Sequence, residues 1–309
     1  MLIDELVVPK YHATLMGVLS EVAGHFRSSF SRAMLYGGSG QAFMVNIHPT
    51  LNSNSIYAWN HAPFFRALAG LGIEMIDHGT FSRGTSLPTR RALEQLLADE
   101  LDTMQPCALV SGEYQLISGY DSTGLVISQP WTSHGGRRPR HLSFGTWSEL
   151  GPEVQARFFT FRKVVGKDLR GLVIDSLQYA RSLYYESGKH TFAPCAAGAE
   201  AYPLWARALQ GPADTGHGNW WNATVWAECR AMASGYFAEL AQLFPATAEL
   251  GMMLADEYAL IASDLSALAD PEMLSRVPEK VALLQSVALR ERNCVAALSD
   301  LVALLQHKA

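Results

Sequence analysis

Ser111-Gly-Glu-Tyr-Gln-Leu-Ile-Ser-Gly-Tyr-Asp121 and, three residues on, Leu125-Val-Ile-Ser-Gln-Pro130 decide how the first half of this chain is read. Residues 114–120 and 125–128 are apolar runs of strand length. The Asp121-Ser-Thr-Gly124 segment between them is a hairpin signal. Residues 107–110 read as a strand before this pair, and 158–165 as one after it. Working upstream, residues 12–25 carry Leu15, Val18, Leu19 and Val22 on one helical stripe. Gly37-Gly-Ser-Gly40 reads as a tight turn that leads into a strand over 42–47. Asn52-Ser-Asn-Ser55 is a loop, 63–70 a short helix and 72–76 a strand. Residues 89–101 follow as a helix with Thr89 as its cap. Residues 131–143 form a polar, basic loop.

Downstream of about residue 166 the pattern changes from mixed periods to one. Residues 169–186, 198–209, 222–243, 246–269 and 278–307 carry apolar side chains at spacings of three and four. Gly211 to Gly218, Pro271 and Pro278 are read as the breaks. The expectation is an α+β fold, with one domain over 1–166 and an all-α helical domain over 167–309. No Gly/Ser spacer separates the two. With 309 residues, 49 % hydrophobic and 17 % charged, the chain can bury a core unaided, and disorder and collagen are excluded.

The net charge of −5 and a pI near 6.1 exclude a nucleic-acid footprint. The first 165 residues carry 13 bases and 13 acids, so the whole surplus of acid lies in the second half. Four cysteines without a C-x-x-C spacing make neither a disulfide framework nor a zinc site. No basic n-region or long apolar run opens the chain, and no run reaches membrane-spanning length, so a cytoplasmic protein without a membrane segment is expected.

Several chemistries lack their motif. Gly37-Gly-Ser-Gly40 is not followed by the Lys-Ser/Thr of a phosphate loop, and neither G-x-S-x-G nor H-E-x-x-H occurs. His48, His61 and His78 are too far apart to share a helix face, so no metal and no cofactor is expected. His134-Gly-Gly-Arg-Arg-Pro-Arg-His141 is the one basic cluster. It is either a solvated loop or a contact for a phosphate or a phosphopantetheine arm, which makes an acyl-carrier protein a candidate partner beside a small-molecule ligand. Trp220-Trp221-Asn222 either lines a pocket or packs in the core.

The order of elements around 111–130 resembles a papain-like cysteine peptidase fold. It is most similar to the branch that holds bacteriocin-leader peptidases and the butirosin-biosynthesis protein H acyltransferase. Residues 31–47, Gly198-Ala-Glu-Ala-Tyr-Pro-Leu-Trp205 and Asn222-Ala-Thr-Val-Trp-Ala-Glu-Cys-Arg230 extend the likeness over nearly the whole chain. The resemblance implies a cysteine opening the first helix, a histidine opening the strand that ends Gly-Tyr-Asp, and an Asp or Asn before a proline one strand later. Here the helix start is His12-Ala13-Thr14, the strand position is Glu113 and the residue before Pro130 is Gln129. All three members of the triad are replaced, and no cysteine precedes Cys107 to restore the nucleophile.

Two expectations follow. In the first, the chain belongs to bacterial specialised metabolism and acts on a small acyl-, amide- or amino-acid-derived substrate without a cysteine. Glu113 and His12 would then move the proton, and Gln129 would orient the substrate or face the oxyanion. Tyr11, Thr14, Tyr114 and Trp131 would line the cleft between the first helix and the 114–120 strand. In the second, the chain is a pseudoenzyme that keeps the cleft, uses Glu113 for a structural hydrogen bond and binds a ligand or protein partner. An active thiol at Cys107 or Cys195 is a third, weaker reading, because neither opens a helix.

Overall fold

The computed structural model describes residues 1–3, 6–130, 140–211 and 216–306. In chain order the elements are α1 (Thr14–His25), α2 (Arg32–Ser39), β1 (Asn46–Ile47), α3 (Ala62–Gly70), β2 (Ile73–Ser82), α4 (Leu87–Asp102), β3 (Cys107–Ser111), β4 (Glu113–Tyr120), β5 (Gly124–Ser128), β6 (His141–Ser143) and β7 (Gln155–Lys163). Then come α5 (Leu169–Tyr185), β8 (Ala196–Ala197), α6 (Ala201–Gln210), α7 (Gly216–Leu243), α8 (Ala248–Leu268) and α9 (Val277–Gln306). The fold is α+β: sheet and helices first, helices after.

By packing, the chain divides into two compact units, Met1–Phe30 with Gly72–Val165, and Ser31–Leu71 with Gly166–Ala309. The first unit is built on a sheet in the order β2-β7-β3-β4-β5-β6, with every neighbouring pair antiparallel. The Asp121–Gly124 turn forms as its residues dictate. The Asp121 carboxylate accepts from Thr123 N and Gly124 N, and Asp121 N donates to the Gly124 carbonyl. The Thr123 hydroxyl, which donates to the same carboxylate, and these two N–H groups hold the Asp121 carboxyl well below the ordinary range. Helix α4 starts on Ser86, whose hydroxyl accepts from Thr89 N, so the cap lies three residues before Thr89 and the helix is longer than its periodicity suggests.

In the second unit residues 31–71 pack with the helices α5 to α9. Arg230 of α7 is the reason most easily named. It is fully buried, donates to the carbonyls of Ala42 and Met44, and pairs with Glu291 of α9 at 2.6 Å. Ser31 caps α2 and also donates to Glu239, while Tyr36 donates to Glu228. β1 pairs with β8.

The expected strand over 42–47 is correspondingly short. Gln41–Phe43 is a 3-10 turn and only Asn46–Ile47 is strand, because Phe43 is drawn among Tyr236, Phe237 and Tyr258 at ring distances of 5.7–6.1 Å. A buried apolar run has no alternation to tell strand from turn. Gly37 and Gly38 are helical, not a turn. A Cβ on Gly37 would lie 2.2 Å from Tyr236 Cγ, so α2 can approach α7 only with glycine there. Gly40, at φ +83°, makes the turn. Residues 216–218, read as part of a break, form the first turn of α7.

Candidate functional site

The start of α1 meets the start of β4. Gly112, at φ +75°, closes a tight turn that sets Ser111 opposite Glu113, so Glu113 opens the strand. Ala13 is the N-cap of α1. It offers no side-chain cap, and its carbonyl accepts from Met16 N at 2.8 Å and Gly17 N at 3.2 Å. Thr14 is the first helical residue. Its hydroxyl donates to Glu113 Oε2 at 2.5 Å and accepts from Tyr114 N at 3.1 Å. Both side chains are interior, Thr14 at 0 % exposure and Glu113 at 6 %.

Strand register explains why this edge is open to a helix. The β4–β5 pairing ends at Leu116 and Ser128, so the first residues of β4 run past the end of β5. Gln129 follows directly on Ser128, the last residue of β5. Positions 13 and 14 at the start of α1 and position 113 at the start of β4 thus meet at the Thr14–Glu113 bond.

The other residues singled out from the sequence fall as follows. Ala13 is fully buried, and His12 and Gln129 are half-buried. The Tyr11 hydroxyl lies 3.5 Å from Ser20 Oγ, along α1. Tyr114 follows Glu113 on the strand, so its side chain leaves by the opposite face. Its ring packs on Phe159 at 5.7 Å, and burial pushes its hydroxyl well above the ordinary tyrosine range. Trp131, like residues 132–139 of the basic loop, lies outside the described residues.

Gln115 is the residue that sequence reasoning passed over. It is buried, donates from Nε2 to the Glu113 carbonyl at 3.4 Å, and its Oε1 has no hydrogen-bond partner among the described residues. The signal was present: Glu113 and Gln115, two apart on a strand, place two polar side chains on one face.

The cysteines offer no alternative nucleophile. Burial raises the thiols of Cys107 and Cys195, and pushes those of Cys229 and Cys294 up to about 12. A raised thiol pKa leaves less of the thiolate, the nucleophilic form, at neutral pH. Among the described residues no group of three or more His, Cys, Asp or Glu could hold a metal ion, and no helix is long and apolar enough to cross a membrane. Trp221 and Asn222 are buried in α7, where Asn222 accepts from Trp226 Nε1 at 3.1 Å, as core packing requires. The chain matches no protein-family model and no curated protein.

Proposed function

We propose that this protein is a papain-like scaffold without a working nucleophile, which binds a small acyl-, amide- or amino-acid-derived ligand of bacterial specialised metabolism non-covalently. The observation that carries this reading is the state of the Thr14 hydroxyl. It stands at the helix start, where such a fold would hold its nucleophile, yet it is buried and already both donates and accepts. An attacking oxygen has to reach its substrate. Ala13 beside it has no nucleophilic atom.

A second reading rests on the same bond. A hydroxyl donated to a carboxylate at 2.5 Å is the arrangement that deprotonates an alcohol, with Glu113 as base. Thr14 Oγ1 would then attack an acyl carbonyl as its proton passes to Glu113, and Glu113 would return that proton to the departing amine or alcohol as the acyl–Thr14 ester forms.

Mass spectrometry of the purified full chain, native and then denatured, separates these. A mass bound only in the native spectrum is the expected result. An acyl increment that survives denaturation and maps to Thr14 would overturn the non-covalent reading in favour of the second. A chain carrying nothing in either spectrum removes the small molecule from the proposal.

A further inference from the structure

The second unit holds a cavity of about 310 Å³ framed by α2, α3 and α5. Its walls are two helix faces at spacings of three to four residues: Arg66, Ala67 and Gly70 on α3, and Leu172, Ser176 and Tyr179 on α5. Facing small residues usually let helices close on one another. Here they leave a volume at the lower end of the range for small-molecule sites. A Cβ added to Gly70 would meet Leu172 and Lys167 and narrow that space.

The polar groups of the cavity are unbalanced. Lys167 and Asp175 at its rim pair with each other. Arg66 is exposed and has no ion-pair partner among the described residues, which leaves the cavity one positive charge in excess. The Tyr179 hydroxyl is buried and has no hydrogen-bond partner among the described residues. Burial raises its pKa, so it remains a donor at neutral pH, and Arg66 is near enough for its charge to act on it. The ring is fixed in place. Gly40 approaches so closely that a Cβ there would lie 2.4 Å from Tyr179 Cδ1, and His190 packs edge-on at 5.5 Å. A buried donor without an acceptor is destabilising, and an incoming acceptor would relieve it.

We propose that this cavity binds a small amphiphilic carboxylate, its charged end on the Arg66 guanidinium and within reach of the Tyr179 hydroxyl, and its short apolar body against Ala67, Gly70 and Leu172. The site lies in the second unit and is independent of the Thr14–Glu113 bond.

The test is calorimetric titration of the full chain with hexanoate and, separately, with uncharged hexanamide. Saturable hexanoate binding in the millimolar range or tighter is expected, with hexanamide at least about tenfold weaker. Arg66→Gln, on an exposed side chain, should weaken hexanoate by about tenfold without moving the thermal midpoint. Ala67→Leu, which fills the cavity, should abolish binding. Absence of saturable hexanoate binding overturns the proposal, as does equal binding of the amide. Wild-type affinity in both Arg66→Gln and Ala67→Leu would overturn it too, because hexanoate would then be bound elsewhere.

Discussion

Glu291 and Glu113 are both buried glutamates, and their company differs. Glu291 receives Arg230 on both oxygens, and Tyr202 donates to it as well. The guanidinium goes on to two backbone carbonyls, so the cluster ties α6, α7, α9 and residues 42–44 together. Glu113 instead receives a neutral hydroxyl, and that bond joins one helix start to one strand start. The first arrangement compensates charge and specifies how segments assemble. The second keeps a carboxylate beside a hydroxyl at the start of a helix. Burying a carboxylate is expensive in either case, and what is spent on it differs.

The sharpest way to break the comparison is Arg230→Met. It strands Glu291 in the core and should destabilise the chain by about 3–5 kcal/mol in urea unfolding, while the double variant Arg230→Met/Glu291→Leu should regain most of that loss. A double variant no better than the single would mean that the cluster does more than balance charge.

Next comes Thr14→Val, which removes a donor to Glu113 and an acceptor for Tyr114 N. A loss of about 1–3 kcal/mol is expected, with Glu113→Gln coupled to it in a double-mutant cycle. If both singles were neutral to stability but abolished a turnover, the catalytic reading would gain at the expense of the structural one.

Ser31→Ala should cost about 1 kcal/mol, because Ser31 caps α2 at the head of the segment that Arg230 holds. An unchanged midpoint in thermal unfolding would show that tertiary packing alone fixes α2.

The smallest effect concerns pH. Burial lowers the pKa of His190, against the opposing pull of Glu186, and its Nε2 lies 2.8 Å from Ser182 Oγ. The folded chain thus favours the neutral ring. That contribution is full above the ordinary histidine range of about 6.5 and is lost as pH falls through the lowered folded value. Urea midpoints should decline from about pH 7 to about pH 5, and less steeply in His190→Asn.

Much of this could be read from the chain. Periodicity found α5, α8 and α9 to within a few residues, and the Asp121–Gly124 turn announced the β4–β5 hairpin through its own side chains. Local chemistry fixed these elements, so local sequence displayed them. The 42–47 stretch was misread because its conformation depends on Phe43 reaching Tyr236 and Tyr258, far along the chain. Gly37 and Gly38 looked like turn residues, yet Gly37 serves to admit a ring. At the candidate site Glu113 was singled out only through the resemblance, as the residue at the position expected to hold a histidine. Its bond to Thr14, 99 residues away, was not legible in the chain.

The membership of residues 31–71 in the second unit has a consequence for synthesis. Ala42 leaves the ribosome 188 residues ahead of the arginine that will hold its carbonyl. At about 5–20 residues per second, that is a wait of roughly 10–40 s. Throughout it, Phe43 lacks Tyr236, Phe237 and Tyr258, the rings it packs among in the folded unit, while Gly72–Val165 of the first unit is completed by continuing synthesis. Residues 31–71 therefore wait for their partners on α7 while the whole of Gly72–Val165 is made, and an aromatic side chain kept without its final partners is surface open to misassembly.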